Sequence, residues 1–241
     1  MAFEPTSKGN EYQLTIKQHF HMEAILRKFI GEDKKVAVTD KQTGTTTRFS
    51  VENKRFIAMR AWSQELEKHI SWPIENAFTT EVQRVEAGGI VEEHKAISAY
   101  HLLWTLRHMF ALNPSDARII IPGMPGQMDK RLEEFAESLG KLPLNGGEAA
   151  SRFATALDIK ANLASPKNLA NYESISWQVL RSETARFISA DSYPGKLLIP
   201  IGPQILLKGC REPAETLTLD VAQVDRFNKM AVEEATNFTF G

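Results

Sequence analysis

Four residues of this chain carry side chains suited to acid–base chemistry: Glu75, His101, Arg107 and Asp191. An imidazole with two carboxylates and a guanidinium supplies a proton acceptor, a proton donor and a cation to steady developing negative charge, which is what hydrolysis of a phosphoryl or acyl substrate requires. A phosphodiester is the favoured substrate. Each residue also has a plain structural use. Glu75 falls in the first turn of a helix that Pro73 can open, where the helix dipole favours a carboxylate. Arg107 and Asp191 can form a structural ion pair, and buried histidines are ordinarily paired.

The element that must position two of the four is the stretch from Glu92 to Phe110. At helical spacing His94, Ser98, His101, Thr105 and His108 share one stripe about 80° wide, flanked by Leu102, Leu103, Leu106 and Met109 on one side and by Ile97 and Trp104 on the other. The spacing predicts a mostly buried helix with a narrow polar seam that either hydrogen-bonds a neighbour or lines a cleft, because an unpaired buried polar group costs about 1–3 kcal/mol. The seven-residue steps between the histidines correspond to about 10.5 Å along the axis, too far for one ion. No metal and no cofactor is called for. His19 and His21, two apart, point to different faces if helical and share a face only if the segment is extended. GTTT at Gly44 lacks the lysine and following helix of a phosphate loop, and no nucleophile elbow, zincin motif or paired CxxC occurs.

Length and composition bound the rest. The 241 residues are 42% hydrophobic and 24% charged, which fits one globular domain over residues 1–241 and excludes disorder. No apolar run reaches the roughly 20 residues of a membrane span. A single cysteine, Cys210, excludes an internal disulfide framework, so a reducing, cytoplasmic location is expected. With 29 basic and 30 acidic residues the molecule has no overall electrostatic footprint for nucleic acid.

In chain order, residues 1–11 read as a loose tail and Leu14 to Ile30 as a helix stopped by Gly31. Lys34 to Val51 reads as a β-hairpin turning at Thr43-Gly44. Residues 53–87 read as two helices, Arg55 to His69 and Pro73 to Ala87, with Ile74, Phe78, Val82 and Val85 buried and Glu81 and Glu86 in solvent. After the central helix come a buried extended segment at Arg118 to Pro122, an amphipathic helix from Met128 to Leu139 burying Leu132, Phe135 and Leu139, a flexible loop at 140–147, and a helix from Glu148 to Asn162 that Ser165-Pro166 ends. From Ser174 the pattern turns to strands, with the two prolines of KLLIPIGP, Pro200 and Pro203, placing that segment at a sheet edge or bulge, followed by a helix over Val221 to Ala235 capped by Asp220 and a last strand at NFTFG. The predicted class is α+β, helices on one side of a mainly antiparallel sheet, with an N-terminal hairpin.

QHFHMEAILRKF, Gln18 to Phe29, resembles the opening of a large bacterial, archaeal and viral family of unknown function, whose members begin with a histidine-aromatic pair and a leucine-x-x-phenylalanine before a strand and hairpin. The order continues with Ile74-Glu75, Arg107, and a C-terminal block similar to WQVLRSETARFISADSYPG, carrying Trp177, Ser189, Asp191 and Pro194. The chain is shorter than typical members and spaces its serine, aspartate and proline more widely. The resemblance covers residues 15–240, implies the same α+β arrangement, and brings no activity with it.

Beside hydrolysis stands a second class of function, a non-catalytic binding protein for a host, mobile-element or nucleic-acid partner. Lys167, Arg181, Arg186 and Lys196 near Trp177 and Phe187 are its candidate basic and aromatic surface. An exposed apolar patch favours binding, and a deep polar pocket favours the enzyme.

Overall fold

Gln18 decides the first departure from expectation. The structure, a computed structural model, describes residues 4–241, and in it Leu14 to Ile30 is not one helix. Lys17–His19 is a strand (β1) paired antiparallel with Ile57–Met59, the fourth strand in chain order (β4). Buried Gln18 donates Nε2–H to Trp62 O (2.9 Å) and accepts from Trp62 N (3.1 Å), satisfying both backbone groups. Such long-range pairing outweighs the few tenths of a kcal/mol per residue at stake in helix propensity. Only Glu23–Leu26 (α1) and a 3₁₀ turn at Arg27–Phe29 are helical, burying Ile25, Leu26 and Phe29.

Val36–Asp40 (β2) and Thr46–Phe49 (β3) form the hairpin. Asp40 Oδ1 accepts from Gln42 N and Thr43 N, and Gly44 supplies the positive φ of +67°. Arg55 to His69 divides, because β4 takes its first part and helix begins only at Gln64. Leu66–Ser71 is a π-helical turn running unbroken into Trp72–Glu86 (α2). Pro73 has no N–H to donate, and the widened turn before it accommodates that loss, so the helix passes through the proline instead of starting there. Glu81, expected in solvent, is buried, accepting from Glu92 N (3.0 Å) and pairing with Arg84.

The central helix spans His94–Leu112 (α3) and buries Ile97, Leu103 and Trp104 completely. Beyond it the helical region departs again. Arg118–Ile119 (β5) pairs with Glu148–Ala149 (β6), yet Ile119 to Ile121 are exposed, not buried. Lys130–Ser138 (α4) is amphipathic with the opposite face inward: Glu134 and Glu137 are buried, while Leu132, Phe135 and Leu139 are exposed. The cause lies elsewhere in the chain. Buried Arg60 donates to Glu137 (2.7 Å) and Glu134 (3.4 Å), and buried Arg152 donates to Glu137 (3.1 Å) and pairs with Glu133 and Glu4. The expected loose tail is tied down by the same cluster through Glu4 and through Ser7 N to Glu134 (2.9 Å); its residues 1–3 lie outside the described residues. Loop 140–147 is stitched at Gly147, whose carbonyl accepts from Ile120 N (2.8 Å) and Ile121 N (3.1 Å). Ser151–Leu163 (α5) is followed by Pro166–Tyr172 (α6), which Pro166 opens where a missing N–H costs nothing.

The remaining strands are Ser176–Arg181 (β7), Ser189–Ala190 (β8), Leu198–Gly202 (β9), Ile205–Cys210 (β10), Thr216–Thr218 (β11) and Phe238–Phe240 (β12), with Val221–Glu234 (α7) before the last. They complete two four-stranded sheets, ordered β11-β7-β10-β9 and β3-β2-β12-β8, in which only β11 and β7 run parallel. Pro200 lies on β9, an edge strand, where the register slips between Ile205 and Leu206, as a residue without an N–H demands. Asp220 and Gln223 form a full capping box on α7. One hydrophobic cluster joins the sheets and helices from Phe20 to Phe240. Among the described residues no helix is long and apolar enough to cross a membrane.

Candidate functional site

The polar seam of α3 opens to the surface at more than one place, and the four residues singled out in the sequence divide among three. Glu75 and Arg107 meet. Arg107, from the C-terminal half of α3, is buried and donates Nη1–H to Glu75 Oε1 (2.6 Å) and Nη2–H to Glu67 Oε1 (3.2 Å), with its guanidinium 5.5 Å from the Trp62 ring centre. Trp62 Nε1 in turn donates to Glu67. Burial alone would lower the Arg107 pKa, and the two carboxylates outweigh that and raise it, so the guanidinium is permanently charged. One cation faces two carboxylates that remain partly open to solvent. Glu67, on the π-helical turn, had no distinguishing mark in the sequence.

His101 stands apart from that pair. Its Nε2–H donates to Lys196 O (3.0 Å), a partner that can only accept, so Nδ1 is the acceptor of the Tyr172 hydroxyl (2.8 Å). Burial depresses its pKa to about 4, against a smaller upward pull from the Lys196 carbonyl. A neutral ring with both nitrogens occupied holds α6 and the loop after β8 onto α3. His101 and Tyr172 line a cleft of about 650 Å³.

Asp191 pairs with His108 and not with Arg107. The turn that carries it is held by Trp104 Nε1–H on Asp191 O (3.1 Å) and by Ala190 N on the Tyr193 hydroxyl (3.0 Å). The carboxylate is fully buried and accepts from Thr236 N (2.7 Å) and Asn237 N (2.8 Å), backbone donors just before β12. Its Oδ2 lies 3.2 Å from His108 Nε2. His108 packs edge-on against Phe20 and borders a pocket of about 300 Å³, together with Lys54, Arg55, Asp40 and Asn237. Arg55 is steadied by Asp40 (3.4 Å) and by the Phe49 and Phe238 rings, whereas Lys54 is exposed and free of ion pairs among the described residues. His108 was legible as part of the α3 stripe; Lys54 and Arg55 were not, since a predicted helix there gave them no common direction with it.

Extension at β1 does not bring His19 and His21 onto one ion. His19 Nε2 bonds Val51 O (3.1 Å), while His21 stacks on Trp104 (4.0 Å) and bonds the Tyr100 hydroxyl (2.6 Å). The aromatic surface proposed for nucleic acid is overturned: Trp177 and Phe187 are buried, and Arg181 is spent on Val85 O. No protein-family model, curated protein or solved structure matches this chain.

Proposed function

We propose that this protein is a hydrolase that uses His108 as the base on a phosphodiester bound in the pocket beside Lys54 and Arg55. The observation that carries the reading is Asp191: a wholly buried carboxylate, held by two backbone N–H groups and spent on an imidazole that borders an open, cation-lined pocket. A carboxylate fixed in this way orients the ring. His108 takes a proton from water, the water oxygen bonds phosphorus, and the ester P–O bond breaks with its electrons on the leaving oxygen, which takes a proton from solvent. Lys54 and Arg55 offset the charge on the phosphoryl oxygens. Asp191 acts as a positioning residue, and Glu75, Arg107 and His101 hold the frame. The lone Cys210 fits a cytoplasmic setting, and the resemblance to the family of unknown function is consistent with this reading without supplying it.

Turnover of bis(p-nitrophenyl) phosphate tests the idea. His108→Gln is expected to lower kcat by about 10²–10⁴ with KM and melting temperature near the parent's, and a parent protein without turnover sinks the reading. A second reading, a non-catalytic protein for a macromolecular partner, is supported by the exposed Leu132, Phe135 and Leu139 on α4 and Ile119 to Ile121 beside β5. Salt-dependent retention of DNA or RNA identifies a nucleic-acid partner.

A further inference from the structure

The cleft at His101 differs in chemistry from the pocket at His108. Its walls are α3, α6 and the connection from β8 to β9, and it carries two exposed cations, Lys196 and Arg211, neither in an ion pair among the described residues. Asn168 and Asn171 add amide groups, and no acidic residue lines it. On the other flank of Tyr172 lies a second cavity of about 460 Å³, walled by Leu102, Leu169 and Pro166 among others, with Lys95 and Glu173 as its charged residues. Leu102 and Tyr172 line both, so the two cavities adjoin. The hydrogen bond from the Tyr172 hydroxyl to His101 fixes the ring at their junction.

We infer that this double cleft binds a small amphiphile, its single anionic head group against Lys196 and Arg211 and its unbranched apolar tail past Tyr172 against Leu102 and Leu169. Charge complementarity selects the head: two cations that make no ion pair among the described residues, in a cleft with no carboxylate in its lining and with Glu234 engaged by Gly195 N (2.9 Å), attract an anion, and the amides accommodate its remaining oxygens. The tail follows from the adjoining apolar wall, since cavities of several hundred Å³ with few placed polar groups are the usual form of small-molecule sites. The inference is independent of the Asp191–His108 reading. It adds a second ligand site on the opposite part of the α3 seam.

Isothermal titration of the full chain with decyl phosphate, decanoate and decanol, all below their micelle concentrations, tests it. Saturable one-to-one binding of the anionic amphiphiles is expected, with decanol weaker, and the stronger of phosphate and carboxylate names the head group. Each added methylene is expected to tighten binding about fourfold until the apolar cavity is filled. The exposed pair Lys196→Ala/Arg211→Ala is expected to weaken binding about tenfold without lowering the melting temperature. Leu169→Asp, at a half-exposed position, is expected to weaken it separately. Absence of saturable binding, decanol binding as tightly as decyl phosphate, or a double variant indistinguishable from the parent overturns the inference.

Discussion

His101 and His21 are neutral because folding removes them from water, and this makes stability depend on pH. Burial holds His101 at about 4 and His21 at about 3, the latter helped by the nearby His19, against 6.5 when unfolded. Below 6.5 the unfolded chain takes up protons that the folded one refuses, so stability is full above that pH and falls as pH drops toward the folded values. At pH 5 each ring costs about 2 kcal/mol. Urea unfolding at pH 5 and 7.5 should show this loss, and His101→Gln should shrink the difference by about 2 kcal/mol. Asp191→Asn is a separate case. It sets an amide N–H₂ against Thr236 N or Asn237 N and costs about 2–3 kcal/mol, but it does not strand Arg107, whose partners are Glu67 and Glu75. An unchanged melting temperature for that variant would contradict the tight acceptor role assigned to the carboxylate. Glu75 and Arg107 were legible as chemistry-bearing residues, yet their mutual contact was not, since neither side chain's direction follows from a sequence read as two separate helices.

Among the elements, α4 shows most clearly what sequence patterning withholds. Its period predicts a helix, and a helix is found, but which face turns inward depends on Arg60, far back in the chain, and on Arg152 at the start of α5, both unmarked in type. Glu137→Ala leaves two buried guanidiniums short of a partner and should cost about 3–5 kcal/mol in chemical denaturation; Phe135→Ser, on the exposed face, should stay within about 0.5 kcal/mol of the parent. The reverse ranking would mean that the apolar face is the buried one. By contrast α3 falls within two residues of its expected bounds, because a stretch apolar on both sides of a polar seam has few ways to be satisfied except as a buried helix. Pro200 was equally informative, since a missing N–H restricts its strand wherever the partners lie. β1 was hidden for the opposite reason: Gln18 prefers extension only once Trp62 is beside it. The hairpin is the tolerant element. Thr43 and Gly44 are exposed, so a short Gly-Ser insertion between them should leave soluble expression and melting temperature near the parent's.

At the level of the whole molecule, β12 joins what the chain made early to what it made late. It pairs antiparallel with β2 on one side and with β8 on the other, and the backbone just before it supplies both N–H donors to Asp191. Deleting residues 236–241 should therefore abolish cooperative unfolding, measured by circular dichroism melting, along with both backbone donors to Asp191; a sharp transition in the truncated chain would show that β2 and β8 hold their places without the strand between them. The same placement sets a timetable for synthesis. The hairpin of β2 and β3 leaves the ribosome with an unpaired edge on β2, and the strand that covers that edge arrives roughly 200 residues later, which at about 5–20 residues per second is a wait of about 10–40 s. Throughout that interval Val36 and Val38 are a sticky strand awaiting its neighbour, so slowing elongation between the codons of β3 and β12 should raise the aggregated fraction, and holding the nascent chain on a chaperone should lower it.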